Sequence, residues 1–508
     1  MHKDKNDNLN SQSNDWLIPL PYEKYHGVFN PSIVQGENGL WGVARADIYP
    51  KNVLRSDRDK RFENEYLVFE LSEKMELTGC KRLSWIGFPA KFKAIDIRLF
   101  RYQKKFYGTF QLTSPIDSRL SGHHLAEINF HNSSIRYIGK FKIRGLIQLP
   151  VEKNWGFFNH NEEIYCIYSI CPIFIVTRVV SLEKATMEVV LKADLTRLYQ
   201  FLDPLAFVSV SSAPFQTEAN RLLLTFHQHS SYCDYKHYAL WLDSESLTPI
   251  SVTRSAFFSL PGNYHWKPGM VVVNSAIYRE GKIILFYGKS DQTSRIRTFE
   301  YKYLAKTSLV LNSPPKTGIE TARDLGRALS LFKSNDLDEA FKLINTAIDK
   351  LPESILGNFL AALYWARKRN VNLSIDFFRK ISPNTTENVY ILFHLARILD
   401  TSGNFLGAEK TYKLAIETDP NYVDPLLALG MLYFRFNEFI KAVGIFELAW
   451  KLKPRLGTLC EKIAQCYLKI NQPQSAQQTC IKGIESGGNK EKLELLLRSA
   501  KTMTNEVN

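Results

Sequence analysis

Cysteine is scarce in this 508-residue chain: there are seven, an odd number, and none forms a CxxC pair. Cys166 and Cys171 fall in a strand-like stretch, and Cys460, Cys466 and Cys480 fall in helical periodicity. This is the usage of a reducing compartment and argues against a disulfide framework or a zinc site. An apolar leader is also missing. The opening MHKDKNDNLNSQSND is polar, so no signal peptide is expected, residues 1–15 read as disordered, and the expected location is cytoplasmic. No apolar run reads as a membrane span. The most apolar window, IYCIYSICPIFIVTRVV at 164–180, is short and carries Pro172 in its middle, which makes it two strands. The formal charge is +14, yet no basic stripe interleaved with aromatics occurs, and runs such as RSDRDKR at 55–61 are mixed in sign. A generally basic surface favours acidic ligands, and no nucleic-acid partner is expected. Walker-type loops, a Gly-rich nucleotide fingerprint and a Ser-His-Asp pattern in plausible context are all missing.

What is present is ample apolar material, 45% of residues with 13% aromatic, in a chain long enough for two domains. Composition shifts near residue 310. Before it the sequence is rich in Phe, Tyr, Ile and Val in short alternating runs; after it come Leu, Ala and Lys in helical periodicity. Pro314 and Pro315 mark a linker, taken as 309–320 between a β domain at 16–308 and an α domain at 321–508.

The α domain repeats with a period of 34. Small residues recur at Ala328, Ala362, Ala396, Gly430 and Ala464, and again at Ala340, Ser374, Ala408, Ala442 and Ala476. Bulky residues follow four positions after the second series, at Ile344, Phe378, Tyr412 and Phe446, with Cys480 last; Pro352, Pro420 and Pro454 close three units. This resembles the tetratricopeptide repeat: helix pairs in which small residues permit close approach and bulky ones fill the gap. About five units are expected, then a polar capping helix in KEKLELLLRSAKTM at 490–503. The second unit departs, with Ser374 for Ala and no closing proline. These are packing positions. Function on such a solenoid lies on its concave face, which usually holds a peptide or protein partner.

The β domain recurs more loosely. Polar clusters open strands at FNPS (29–32), AIDIR (94–98), EKNW (152–155), SSAPF (211–215) and KPGM (267–270), roughly 55 to 66 residues apart. Several precede similar hairpins: IVQGENGLWGVAR, LFRYQKKFYGTF, GFFNHNEEIYCIYS, QTEANRLLLTFH and YREGKIILFYG. Five units with room for four strands each suggest a five-bladed β-propeller. A pair of immunoglobulin-like sandwiches is the alternative, but it leaves the five clusters unexplained. In KAIDIRLF, alternation puts Ile95, Ile97 and Leu99 on one face and Asp96, Arg98 and Phe100 on the other. A solvated edge or a structural ion pair would account for Asp96 and Arg98. In a propeller, inner strands converge on one funnel, where these two would meet Asn30, Lys153 and Asn154.

At these residues the sequence resembles the glycoside hydrolase family 130 propellers, mainly mannoside phosphorylases, together with their mannosyltransferase relatives, over about residues 28–300. An Asn-Pro and a hairpin ending in Arg appear as Asn30 and Arg45. A Glu-Asp-Pro-Arg pattern is kept as Asp96 and Arg98, with Ile95 and Ile97 replacing Glu and Pro. A Lys-Asn pair falls at Lys153 and Asn154, and a Tyr-His and Tyr-Arg segment gives His227 and Tyr235, with Lys236 for the Arg. A Tyr-Gly followed by Asp places Asp291 in LFYGKSD.

The resemblance implies an inverting displacement at a β-mannosidic carbon with Asp96 as general acid, its proton relayed through a sugar hydroxyl. Arg45, Arg98, Lys153, His227 and Tyr235 would donate to a phosphate or nucleotide-phosphate group. Asn30 and Asp291 would hold sugar hydroxyls. No metal or cofactor is expected beyond inorganic phosphate or a sugar phosphate as co-substrate. A hydrolase would need a second carboxylate, for which Glu152, Asp203 and Asp291 are candidates.

Plainer roles stand beside these. His227 reads equally as a structural histidine, HQHSS (227–231) lacks a third metal ligand, Asp291 suits a turn cap, Lys153 and Asn154 suit a solvated turn, and Trp155 and Trp266 suit core or channel wall. The leading reading is a glycan-active phosphorylase or transferase on mannosides whose repeats recruit a partner. The alternative is a non-catalytic interaction scaffold with a degenerate sugar-binding propeller.

Overall fold

The computed structural model describes residues 25–311 and 318–507, without 38, 49–62, 89–92, 114–120, 147–153, 218–220, 230–234, 260–269, 290–292, 382–387 and 454–456. The expected disorder of residues 1–15 lies outside the described residues, as do Glu152, Lys153, Trp266 and Asp291. Two compact units result, a β unit ending at Ile319 and a helical unit of Glu320–Asn508 that also takes in Thr196–Ala206.

The β unit is a five-bladed propeller. Blade one is β1 (Tyr25–Gln35), β2 (Leu40–Ile48), β3 (Glu63–Leu71) and β4 (Leu77–Arg82), antiparallel in sequence order. The chain next lays down a short edge strand, β5 (Ser84–Ile86). It then builds blade two outward from the inner strand: β6 (Lys93–Tyr102), β7 (Lys105–Thr113), β8 (Gly122–Asn129) and β9 (Ser134–Lys140). β5 runs parallel to β9 on the outer edge. Blade three repeats the device: β10 (Lys142–Arg144) lies parallel on the outermost of β11 (Gly156–His160), β12 (Glu163–Ser169), β13 (Ile173–Ser181) and β14 (Thr186–Asp194). Blade four is β15 (Phe207–Gln216), β16 (Arg221–His229), β17 (Tyr235–Asp243) and β18 (Pro249–Thr253), and blade five is β19 (Val271–Arg279), β20 (Lys282–Lys289) and β21 (Thr293–Glu300).

A short helix, α1 (Tyr301–Lys306), then carries the chain back to β22 (Ser308–Val310), the outer edge of blade four. Residues 308–310 thus belong to a blade, and the next long helix begins at Ile319, so the connection between the units is shorter than the linker read from composition. The window at 164–180 is the β12–β13 pair with Pro172 in its turn. Inner strands β1, β6, β11, β15 and β19 neighbour one another in a closed ring, which no pair of sandwiches would give.

The apolar core lies between blades. One cluster joins Val43, Tyr66 and Val68 of blade one to Ile97, Leu99 and Phe110 of blade two; another joins Val28 and Ile33 to Phe286 and Ile296 of blade five. No strand is shared across the blade five–blade one joint among the described residues. Side-chain hydrogen bonds close it instead: Ser294 Oγ to Val28 O at 2.9 Å, and Asn274 Nδ2 to Asn30 O at 3.1 Å.

The helical unit stacks five helix pairs: α2 (Ile319–Lys333) with α3 (Leu337–Lys350), α4 (Ile355–Arg367) with α5 (Val371–Lys380), α6 (Val389–Thr401) with α7 (Phe405–Thr418), α8 (Val423–Arg435) with α9 (Phe439–Leu452), and α10 (Gly457–Lys469) with α11 (Pro473–Glu485). α12 (Lys490–Val507) follows as the cap. The alanines and cysteine of the period-34 series are all fully buried, together with Ile344, Phe378, Tyr412 and Phe446. A Cβ on Gly430 would stand 2.4 Å from the Phe446 ring, so this repeat trades its small residue for a large one opposite. Ser374 tolerates burial because its hydroxyl donates to Ala362 O at 2.8 Å. Asn388 caps α6 through Tyr390 N at 2.9 Å, while its Nδ2 donates to Tyr199 O at 2.9 Å and Leu202 O at 3.0 Å in the Thr196–Ala206 segment of the same unit.

Candidate functional site at the propeller axis

Three of the polar clusters read from the sequence, FNPS, AIDIR and SSAPF, are breaks in an inner strand, and β19 carries a fourth break of the same kind. Pairing registers slip between Phe29 and Ser32, between Ile95 and Arg98, between Ser212 and Phe215, and between Val273 and Ser275. Asn30, Asp96 and Asn154 have φ of 53°, 53° and 65°, a left-handed conformation that Asn and Asp tolerate better than other L residues. The slip also overturns the simple alternation expected for KAIDIRLF. Ile97 and Leu99 are buried between blades, but Arg98 is buried as well, at 5% exposure, and Asp96 is half-buried. An inserted residue turns side chains of one strand in directions that a period of two cannot give.

The bulges bring Asn30 and Asp96 together. Asn30 Nδ2 donates to Asp96 Oδ1 at 3.0 Å, while Asp96 Oδ2 has no hydrogen-bond partner among the described residues. Gly288 of blade five makes room for this pair: a Cβ there would stand 2.2 Å from Asn30 Oδ1. That is the structural reason for the Tyr-Gly step in LFYGKSD.

Arg98 sits beneath them and ties four blades to one another. Its Nη1 donates to Ser211 O and, at 2.7 Å, to Asn274 O; its Nη2 donates to Asn154 Oδ1 at 2.9 Å. No carboxylate lies within ion-pair distance among the described residues. Burial therefore lowers the guanidinium pKa to about 10, against the opposing pull of Asp96. With both terminal nitrogens committed to protein acceptors, Arg98 acts as a brace, whereas the sequence reading gave it to phosphate. Serines complete the frame: Ser32 Oγ accepts from Leu99 N at 2.9 Å, and Ser275 Oγ accepts from Ile33 N at 3.0 Å, each bridging to the next blade. Arg98, Asn274, Ser32 and Ser275 border a cavity of about 70 Å³, also lined by Trp155, Phe157 and Pro214. It has room for a few water molecules. Trp155, buried in the core between blades two and three, forms part of the wall of this cavity.

Blade four adds a histidine pair. Ser211 Oγ lies 2.8 Å from His227 Nδ1 and 3.1 Å from His237 Nδ1, and His237 Nε2 lies 2.9 Å from Val271 O. His227 and His237 are both buried, at 1% and 0% exposure. Burial drives the His237 pKa down to about 4, helped by the charge of Arg98. The Tyr235 ring packs 5.1 Å from His227 and 4.8 Å from His229. Arg45 lies over the Phe29 ring at 5.1 Å.

Asn30, Asp96, Arg98 and Asn154 therefore form one hydrogen-bonded assembly, which His227 joins through Ser211. Arg45 pairs in register with Phe29, next to Asn30, and Tyr235 packs against His227. Sequence reasoning missed Asn274, Ser275 and His237, and it set the fifth cluster at KPGM. Residues 267–269 lie outside the described residues; the bulge that matches blade one is Asn274–Ser275, and the echo of Asn-Pro-Ser in VVVNSA was the available signal.

The tetratricopeptide repeat family model matches residues 389–422, the α6–α7 pair and the turn after it. The helical unit is a tetratricopeptide-repeat solenoid. Tetratricopeptide repeat protein 17 of Danio rerio is 27% identical over 162 residues, covering 31% of this chain and 13% of the relative. The Homo sapiens protein of that name is 26% identical over 158 residues, covering 30% and 14%. The chain thus spans about an eighth of the curated relatives it matches. Among solved structures, the β-1,2-mannobiose phosphorylase from Listeria innocua aligns at 13% identity with a TM-score of 0.41, covering 56% of this chain and 94% of that one. A putative glycosidase from Bacteroides thetaiotaomicron aligns at 11% identity and 0.41, covering 55% and 88%. MamA aligns at 18% identity and 0.30, covering 32% and 94%. No helix among the described residues is long and apolar enough to cross a membrane.

Proposed function

We propose that the propeller is a glycan-active enzyme that transfers a glycosyl group, on β-mannosides, to or from phosphate or a nucleotide sugar. Asp96 supplies the proton, and the repeats hold a protein or peptide partner. The observation that carries this reading is Asp96 itself. A half-buried carboxylate in left-handed backbone has one oxygen pinned by Asn30 and the other open. Strained backbone of this kind costs about 1–3 kcal/mol and collects at functional sites. Orientation by a fixed amide is what a general acid needs to meet one substrate oxygen.

The reading is tested by offering purified full-length protein mannose 1-phosphate, other sugar 1-phosphates and nucleotide-mannose, each with a panel of sugar acceptors, and scoring new glycoside by mass. Product that vanishes in Asp96→Asn supports the enzyme. A wild type with no product from any donor and no sugar binding sinks it.

One observation favours the second reading, an interaction scaffold with a non-catalytic propeller. Arg98, expected to meet phosphate, already gives three of its five N–H donors to Ser211, Asn274 and Asn154, while its Nε is buried with no hydrogen-bond partner among the described residues. The donor screen separates the two.

A further inference from the structure

The stretch Thr196–Ala206, TRLYQFLDPLA, links β14 to β15 in sequence yet belongs to the helical unit. It opens as a 3-10 turn, Thr196–Gln200, and Leu198, Tyr199 and Leu202 are buried. The turn packs on α4. At the end of the stretch, Ala206 O accepts from Lys333 Nζ, in the last turn of α2, at 3.2 Å. In its middle, Tyr199 O and Leu202 O accept from Asn388, the cap of α6. It thus meets the first helix of three successive pairs. First helices line the concave face of such a solenoid, so the stretch lies across that face.

Burial follows the same line. Every residue from Leu356 to Ala362 is buried, so this part of α4 has no solvent side. At the same repeat positions further on, Leu360 becomes His394, Ala428 and Lys462, all partly exposed. Leu356 becomes Tyr390, then the partly exposed Asp424 and the exposed Thr458. The face is closed over α4 and opens toward α8 and α10. Burial lowers the Lys333 pKa, and the charge of Asp203 in the stretch opposes that shift. The stretch supplies apolar anchors and a carboxylate; the helices supply an apolar wall and an ammonium.

We propose that Thr196–Ala206 is a resident peptide ligand: it fills in cis the part of the concave groove formed by α2, α4 and α6, and that part recognises a short peptide with leucine and tyrosine anchors and one carboxylate. Asn388 has two roles there. Its Oδ1 caps α6, and its Nδ2 grips two main-chain carbonyls whatever their side chains, so Leu198, Tyr199 and Leu202 set the preference. A ligand tethered at both ends competes at an effective concentration on the order of millimolar, so a free peptide of similar affinity does not displace it. An outside partner of the repeats is left the later pairs, from α8 on. The assignment does not depend on the glycan-active reading.

Two measurements on full-length protein test it. In hydrogen exchange followed by mass spectrometry, residues 196–206 of the wild type are expected to be protected. Asn388→Asp keeps the cap, because a carboxylate accepts from Tyr390 N and Ile391 N as the amide does, but it cannot donate to Tyr199 O and Leu202 O. It is expected to speed exchange in 196–206 about tenfold while α6 stays protected. Fast exchange in the wild type, or no change in Asn388→Asp, overturns the proposal. In the second measurement, fluorescently labelled TRLYQFLDPLA is added in trans. The wild type is expected to leave it unbound, and Leu198→Ala/Leu202→Ala, which loosens the resident stretch, to bind it. Binding by the wild type, or no binding by the folded double variant, overturns the proposal. Either measurement decides alone where the other's variant does not fold.

Discussion

Asn30 and Asp96 meet across the joint between the first two blades, amide nitrogen to carboxylate oxygen at 3.0 Å, and each has a φ of 53°. Two residues 66 positions apart thus share one unusual backbone geometry and one hydrogen bond. Replacing Asn30 with Gly keeps the left-handed backbone available and removes the amide. Glycoside formation in the donor screen is expected to fall about 10- to 100-fold, mostly in kcat, for loss of one charge-assisted bond worth roughly 1.5–3 kcal/mol. Steady-state kinetics check it; an unchanged kcat removes Asn30 from the site.

Gly288→Ala is expected to do the same damage from another blade. The new methyl would stand 2.2 Å from Asn30 Oδ1 and 2.7 Å from its backbone nitrogen, so Asn30 must move. Overpacking of this kind costs about 1–3 kcal/mol. Urea unfolding should show that loss, with activity falling at least as far as in the Asn30 variant. A neutral substitution would mean that the close approach is not present in solution.

Arg98→Met is expected to destabilise the propeller by about 2–5 kcal/mol, because the Ser211 and Asn274 carbonyls and Asn154 Oδ1 lose their shared donor inside the protein. Arg98→Lys should recover only part of this, since an ammonium lacks the planar fork that reaches three acceptors. Denaturant midpoints of the three proteins decide the order; a lysine variant as stable as wild type contradicts the brace.

Acid should weaken the propeller before its carboxylates are titrated. The folded-state pKa of His237 is about 4, below the ordinary 6.5, so the unfolded chain takes up that proton first. The stabilisation is complete above pH 6.5 and is lost as pH falls toward 4, roughly 3 kcal/mol in all. Urea unfolding from pH 7 to pH 4.5 should show this slope. In His237→Phe, stability at pH 7 should be lower and the slope over the same range flatter; an identical slope assigns the effect to other groups.

In the solenoid, Ser374→Ala is expected to change stability by less than about 1 kcal/mol, because the hydroxyl bond it loses is offset by burying a residue with no polar group. Phe446→Ala, which empties the space over Gly430, should cost about 3–5 kcal/mol. Thermal or chemical unfolding of the helical signal measures both, and a serine effect as large as the phenylalanine effect would contradict this packing.

The sequence by itself determined the solenoid and the blade plan. Both depend on short-range regularity: a 34-residue period whose small and bulky positions pack against the next helix, and hairpins whose strands pair with their chain neighbours. That is why Ala340, Ala408 and Tyr412 could be named as core, and why five hairpins could be placed. The polar clusters also stood in the sequence, and with them Asn30, Asp96, Arg98 and Asn154. What these residues do to one another did not. A bulge changes where Asp96 and Arg98 point, and alternation carries no record of it. Asn274 and Ser211 meet Arg98 only once the ring closes, across separations of up to 176 residues. Only the tertiary structure decided that Arg98 braces the axis, that Gly288 is small for the sake of Asn30, and that Ser211 lies between two buried histidines. Hydrogen-bond direction and blade-to-blade contact depend on distances in space, which a linear pattern does not contain.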